Sequence, residues 1–375
     1  MRILVAPQEF KGTLSGREAA EAIARGLRRG LPGAEIDLLP LADGGPGTVE
    51  ALVEATAGVY LESDAHDALG RYVRARWGVL GGGETAAIEM AAASGLALLR
   101  AEERDPRRAS TFGTGELIRA ALEAGYRKLI VGVGGSATND GGAGAAQALG
   151  AHLLDSEAVE LPPGGAALAR LARIDVSELD ARLAVSDVIV ATDVSSPLCG
   201  PDGASLLYGA QKGASEQVAR ELDAALAHYA EIIRRDLGVA VVEVPGAGAA
   251  GGLAAGLIAF CGATVRPGFE VVAEATGFAA RLARADAVVT GEGRLDRQTA
   301  FGKTTSGVAR AARAAGKPVV AIVGSVATPE AEHDFDAVFA LTPDLTTENE
   351  AFERAAELVE QAATRAGAWL KERAG

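Results

Sequence analysis

The sequence predicts an α/β protein in two parts. The two chain ends build one domain around a parallel sheet, and the middle of the chain is inserted as a second, mixed α/β domain. Three observations carry this. The first 57 residues alternate strand, helix, strand, helix, the rhythm of a parallel sheet with helices on its faces. The rhythm breaks after Gly58 into β-rich segments, and it returns at Ala287 and runs to the C-terminus. At 375 residues, two domains are also what length alone suggests. The expected division is 1–60 with 285–375, and 61–284, with the active-site cleft between them.

In order, Ile3–Ala6 is an apolar strand, too short for the apolar region of a signal peptide. Ser15 with Glu18 three residues on forms a capping box, and Ala19, Ala22, Ile23 and Leu27 recur at helical spacing behind it. Pro32-Gly33 stops that helix. Glu35–Leu41 is the second strand, and Thr48–Ala57 the second helix. Val59–Glu62, Tyr72–Leu80 and Thr85–Met90 read as a β meander with Gly81-Gly82-Gly83 as a turn. Glu116–Ala124 is a helix, followed by the strand Leu129–Val131 and a Gly/Ala-rich helix over Gly141–Gly150. Val188–Ala191 is a buried strand, and Ser215–Arg235 a long helix. The closing rhythm is strand Ala287–Thr290, helix Thr305–Ala315, strands Val319–Val323 and Ala337–Leu341, and helix Glu348–Lys371.

Composition excludes several classes. Hydrophobic residues make up 49% and charged residues 23%, ordinary for a folded chain, with aromatics at only 4%, so the core is mostly aliphatic. The net charge of −14 argues against nucleic acid as the main partner, although a local pocket can still be positive. Cys199 and Cys261 have no metal-ligand spacing and read as reduced cytoplasmic thiols. The four histidines are scattered, which removes zinc motifs and a His-dependent triad. Pro245–Val265 carries no charge and contains Gly252-x-x-x-Gly256, but it is mostly Gly and Ala and lacks interfacial anchors. It therefore reads as a close-packed loop and helix, not a membrane span.

The chemistry concentrates in Leu129–Gly144, LIVGVGGSATNDGGAG. A strand running into Gly134, Gly135, Ser136, Thr138, Asn139 and Asp140 and then a helix start is how proteins seat phosphate: small residues let the backbone approach, and the helix start favours negative charge. Gly132-x-Gly134-x-x-Ala137 also fits a dinucleotide loop, with Asp155 about 20 residues on. That leaves an NAD-dependent oxidoreductase acting on a small hydroxy acid as an alternative, and a non-catalytic organic-acid sensor as another. Further polar loops follow other strands, at Lys11, Asp43, Asp193 and Glu292–Asp296, and ligands of open parallel sheets bind at the strands' carboxyl ends. The carboxylates suit magnesium or a base for a hydroxyl, although an Asp in a glycine loop is equally a turn residue. Lysine occurs only six times, and Lys11, Lys212 and Lys303 stand beside glycine in these loops, well placed for phosphate. Gly302-Lys303-Thr304 is not a P-loop, because Arg297 stands where its first glycine must be.

The loops together resemble the bacterial type 1 (GarK-like) glycerate kinase family over nearly the whole chain. The matching segments are Phe10-Lys11-Gly12-Thr13, Ala42-Asp43-Gly44-Gly45, Phe112–Ile118, Gly134–Gly144, Gln211-Lys212-Gly213-Ala214, Pro245–Leu253 and Thr290–Asp296, in the family's order. The chain departs from the family at Gln8-Glu9 (usually Asp-Ser), at Pro46 (usually Glu), and at Ser195 and Ser196 (usually Asp and Asn), while Lys11, Asp43, Asp193 and Asp296 are retained. The resemblance implies a flavodoxin-like domain interrupted by a second α/β domain. It also implies ATP- and magnesium-dependent phosphorylation of D-glycerate to 2-phosphoglycerate, with 3-phosphoglycerate the alternative product. The partners implied are small molecules, not nucleic acid or membrane. The expected roles are phosphate binding by Lys11, Lys212, Lys303 and the Gly134–Asn139 loop, magnesium at Glu292 and Asp296, and carboxylate binding by Arg294. Asp193 is expected to orient or deprotonate the hydroxyl, with Asp43 next in line.

Overall fold

The computed structural model describes residues 1–295, 304–327, 329–343 and 345–373. The strands, in chain order, are β1 (Arg2–Val5), β2 (Glu35–Leu38), β3 (Val59–His66), β4 (Tyr72–Val79), β5 (Thr85–Glu89), β6 (Lys128–Gly132), β7 (His152–Leu154), β8 (Arg173–Asp175), β9 (Asp187–Ala191), β10 (Thr264–Arg266), β11 (Ala287–Leu295), β12 (Val319–Val326) and β13 (Ala337–Thr342). The chain divides into two compact units, Met1–Asp43 with Phe269–Gly375, and Gly44–Gly268.

The first unit is a five-stranded, all-parallel sheet in the order β2-β1-β11-β12-β13. Counted along the unit this is 2-1-3-4-5, the flavodoxin-like order. Its central strands are apolar on both faces because helices cover both: Ile3, Val5 and Ile322 on one face, and Leu4, Val288 and Val323 on the other, are fully buried. The capping box forms as the sequence predicts: Glu18 N donates to Ser15 Oγ at 3.2 Å, and Ser15 N to Glu18 Oε2 at 2.9 Å. The helix it opens, Gly16–Gly30, packs against Ala355–Arg373 at backbone distance. A Cβ on Gly26 would stand 2.2 Å from Glu360 O, and one on Gly30 2.1 Å from Thr364 O.

The second unit holds a six-stranded sheet in the order β10-β9-β6-β5-β4-β3. β5, β6, β9 and β10 are parallel, whereas β3 and β4 form the antiparallel meander the sequence predicts. A two-stranded ribbon, β7-β8, stands apart from it. The core gathers Trp77, Ile88, Met90, Leu117, Val131, Val190, Leu226 and Tyr229.

The units divide after Asp43 and after Gly268, earlier in the chain at both ends than the composition shifts suggest. The helix Thr48–Ala55 belongs to the second unit because it lies on β4, where a Cβ on Gly78 would meet Val53 Cγ2 at 2.3 Å. The helices Gly268–Ala275 and Phe278–Arg284 serve the first. There Arg281 Nη1 pairs with Asp37 Oδ1 at 2.8 Å, and the Phe269 ring fills the space beside Gly307.

Two further expectations change. The segment Gly291–Leu295 is strand, not loop: β11 runs on, pairing Arg294 with Ser325 and Leu295 with Val326. Its glycines look like turn punctuation but are needed because a Cβ at Gly291 would stand 2.2 Å from Ile322 O. The closing helix is two, Glu348–Glu353 and Ala355–Arg373. The uncharged Pro245–Val265 stretch is, as expected, a loop followed by a close-packed helix, Ala249–Cys261, which is kinked where Ala250, Gly251 and Gly252 take positive φ. Its Gly252 and Gly256 pack on Gly141 and Gly142, so the spacing serves an interior contact. Among the described residues no helix is long and apolar enough to cross a membrane.

Candidate active site

In the first unit, β1 and β11 are neighbours whose chains leave in opposite directions. β1 crosses over to β2, and β11 crosses through the helix Thr304–Ala314 to β12. Such a switch point leaves a crevice at the carboxyl ends of the two strands, where open α/β sheets bind ligands. A cavity of about 390 Å³ lies there. Its lining joins the segments after β1 and β2 to the ends of β11, β12 and β13.

Four of the expected site residues line this one cavity: Lys11, Asp43, Glu292 and Arg294. Lys11 is presented by a tight turn in which Leu14 N and Thr13 Oγ1 both donate to Phe10 O, at 3.0 and 2.9 Å, and Gly12 takes φ +80°. Glu292 and Arg294 alternate with Gly291 and Gly293, so strand periodicity puts both side chains on one face. Glu292 is buried, Asp43 half-buried, and Lys11 and Arg294 exposed. Gly293 and Gly324 make bare floor: a Cβ on Gly324 would stand 2.3 Å from Gly293 O, and one on Gly293 3.3 Å from Lys11 N. The helix that follows β11 begins with Thr304, Thr305 and Ser306, whose hydroxyls are buried with no hydrogen-bond partner. Asp296 and Lys303 lie outside the described residues.

In the second unit, Gly132 and Gly134 end β6 against Gly44 and Gly45. Gly134 N donates to Gly44 O at 2.9 Å, and a Cβ on Gly134 would stand 2.5 Å from Gly45 Cα. The loop after β9 closes on the same glycine, because a Cβ on Gly44 would lie 2.1 Å from Ala191 O. This packing sets Asp193, half-buried, in a loop that shares Gly44 with the Gly134 turn. Gly135 is exposed at φ +73°, and Ser136 is half-buried.

Beyond Ser136 the loop turns inward. Thr138, Asn139 and Asp140 are wholly buried. Asp140 accepts from Thr111 N at 2.8 Å, Thr111 Oγ1 at 2.9 Å, and Gly142 N and Gly144 N at 3.2 Å each. Burial nevertheless pushes its carboxyl above the ordinary range, against those donors. Asn139 Nδ2 donates to Ser205 Oγ at 2.8 Å. Lys212, only 1% exposed, donates Nζ to Thr138 O at 2.7 Å. Burial pulls its ammonium down to about 7, with Asp140 pulling the other way. Tyr229, buried beside the same carboxylate, has its phenol pushed well above its usual value by burial and then by Asp140. The side chains of Lys212, Thr138 and Asn139 thus hold the loop from inside.

Sequence reasoning missed Thr111, Ser205 and Tyr229 as partners of that loop, and the apolar wall of the first-unit cavity. Thr111 stands just before a family-like segment, which was a usable signal. Tyr229 lies in an ordinary apolar helix stripe and gave none. For an anionic ligand the first-unit cavity fits: two exposed cations and bare glycine strand ends line it at a switch point. For magnesium it offers Glu292 and Asp43. Two carboxylates completed by phosphate oxygens suit that ion, and no group of three or more His, Cys, Asp or Glu able to hold a metal occurs among the described residues.

The fold is that of a doubly wound α/β protein with a charged cavity at the switch point of its parallel sheet. Residues 3–371 match the model of the glycerate kinase family. The chain is 48% identical over 374 residues to a glycerate kinase of Bacillus subtilis (strain 168), covering 99% of this chain and 98% of that protein. It is 48% identical over 355 residues to a glycerate 2-kinase of Escherichia coli (strain K12), covering 94% and 93%. A crystal structure from Salmonella typhimurium LT2, whose own assignment as glycerate kinase 2 is provisional, superposes with a TM-score of 0.85 at 48% identity, covering 99% and 98%. The chain belongs to the glycerate kinase family.

Proposed function

We propose that this protein is a glycerate 2-kinase that moves the γ-phosphoryl group of ATP to the 2-hydroxyl of D-glycerate. The observation that carries the reading is the cavity at the β1/β11 switch point, lined by Lys11, Asp43, Glu292 and Arg294, in a chain of this family. The hydroxyl oxygen forms the new P–O bond, the bond to the β–γ bridging oxygen breaks, ADP leaves, and the hydroxyl proton passes to a carboxylate. Such a transfer depends on alignment and charge neutralisation more than on covalent help.

Lys11 neutralises the phosphate oxygens. Arg294 pairs with the carboxylate of glycerate in two parallel bonds. Asp193 orients the hydroxyl and takes its proton, and Asp43 is the second choice for that role. Gly134, Gly135 and Ser136 offer backbone to an anion, while Lys212 holds the carbonyl of Thr138 deeper in the second unit. Glu292, with Asp43, is the described choice for magnesium, which when bound neutralises charge on the transferring group. Lys303 and Asp296 keep their expected roles toward phosphate and metal. Cys199 and Cys261 are unpaired, as in a cytoplasmic protein.

The test is the product of ATP and D-glycerate. Phosphate on C2 couples to one proton and gives a doublet in the phosphorus spectrum, whereas on C3 it couples to two and gives a triplet. A doublet with equimolar ADP is expected. A triplet overturns the 2-kinase assignment, and absence of ADP overturns the kinase.

A further inference from the structure

The cavity of the first unit has two kinds of wall. One is charged, from Lys11 and Arg294. The other is apolar, from Leu341 at the end of β13, Ala351 and Phe352 on the short helix Glu348–Glu353, and Ala355 at the start of the closing helix. The charged wall is accounted for above. The apolar wall is not: a three-carbon acid carrying two hydroxyls has no apolar surface to bury against it. Phe352 makes the point sharper, because its ring is 58% exposed at the edge of the cavity. A Cβ on Gly12 would stand 3.8 Å from Phe352 Cε1, so the ring lies over the turn that presents Lys11.

Resting on the kinase reading, we propose that this apolar wall is the seat of the nucleobase, with Phe352 as the residue it stacks on. An adenosine nucleotide has the polarity the cavity has: a flat apolar base at one end and phosphates at the other. Its volume suits a cavity of about 390 Å³, within the range of sites for such ligands. The base stacks on the face of Phe352, and Ser325 and Thr342, which also line the cavity, meet its polar edge.

The test is binding of ADP, and of tripolyphosphate as the baseless control, measured by calorimetry on the whole protein without glycerate. Phe352→Ala is expected to weaken ADP about tenfold, the usual loss when a base gives up an aromatic partner. It is expected to leave tripolyphosphate, and the KM for glycerate, unchanged. Phe352→Trp is expected to restore ADP affinity, and Ala351→Trp, which fills the seat, to abolish it. Phe352 is largely in solvent, so its loss leaves the fold intact. ADP affinity unchanged in both Phe352→Ala and Ala351→Trp, or equal losses for ADP and tripolyphosphate, would overturn the seat. A higher KM for glycerate with normal ADP affinity would give the wall to the acid instead. Absence of turnover in the unmodified protein is a separate result, which removes the kinase reading and leaves the binding comparison readable.

Discussion

Two regions of this protein look alike in sequence and behave oppositely in structure. Around β1 and β11, glycines alternate with Lys11, Asp43, Glu292 and Arg294, and all four side chains line a cavity. Between β6 and its following helix, glycine pairs flank a run containing Thr138, Asn139 and Asp140, and these, with Lys212, are sealed inside the second unit. The same residue types therefore serve two ends. In both a glycine removes a Cβ so that another stretch of backbone can come close; what differs is whether the neighbouring side chains turn to a cavity or to the interior. Gly251 shows the interior case: it takes φ +69°, and a Cβ there would stand 2.0 Å from Thr138 O, the carbonyl that Lys212 holds.

The largest effect tests the base proposed outside that sealed cluster. Asp193→Asn keeps the shape of a half-buried side chain but removes its basicity, so kcat is expected to fall about a thousandfold, the upper part of the range for losing a general base. Circular dichroism is expected to be unchanged, and near-normal turnover removes Asp193 from the chemistry. Next, Lys11→Met is expected to lower kcat/KM for ATP about a hundredfold, as when one preorganised donor is lost, with KM for glycerate little changed.

On the packing side of the comparison, Gly251→Ala is expected to cost about 2–3 kcal/mol in urea unfolding, because it combines a strained φ with a collision against Thr138. A neutral result shows that the kinked helix has room to move. The mildest effect is a pH dependence. Unfolded Lys212 keeps its proton up to the ordinary value of 10.5, whereas folded Lys212 releases it near 7. The unfolded state thus binds the extra proton between those values, and stability rises with pH across that window. Asp140 acts at the other end. Its folded carboxyl keeps a proton above the ordinary value of 3.8, so stability falls as pH climbs from there toward its raised value. Lys212→Met is expected to flatten the alkaline rise in a melting-temperature profile. An unchanged rise shows that some other group is responsible.

The sequence made the parallel sheet legible because short apolar strands alternated with capped, periodic helices, and Ser15 with Glu18 marked one helix start to the residue. It singled out Lys11, Asp43, Glu292 and Arg294, which line one cavity, although only the first two follow strands and the other two lie within β11. It misread Gly291–Leu295 because glycine signals both a turn and a crowded strand. It passed over β10, three residues at the end of a Gly/Ala-rich stretch, because so short an element has no period to show. Burial was the part least open to reading. Nothing local separates Lys11, in solvent, from Lys212, whose partners Thr138 and Asp140 lie 74 and 72 positions away. Phe352 and Leu341 went unnoticed for a similar reason: apolar residues in the last elements look like core until the sheet order brings them to the switch point.

The most direct test of this contrast is a paired titration with ADP of Lys11→Met and Lys212→Met, each checked for folding. The site described here predicts at least tenfold weaker binding for Lys11→Met with an unchanged melting temperature, and binding within about twofold of normal for Lys212→Met. Normal affinity in folded Lys11→Met together with lost affinity in folded Lys212→Met would contradict it, and would move the phosphate site into the second unit.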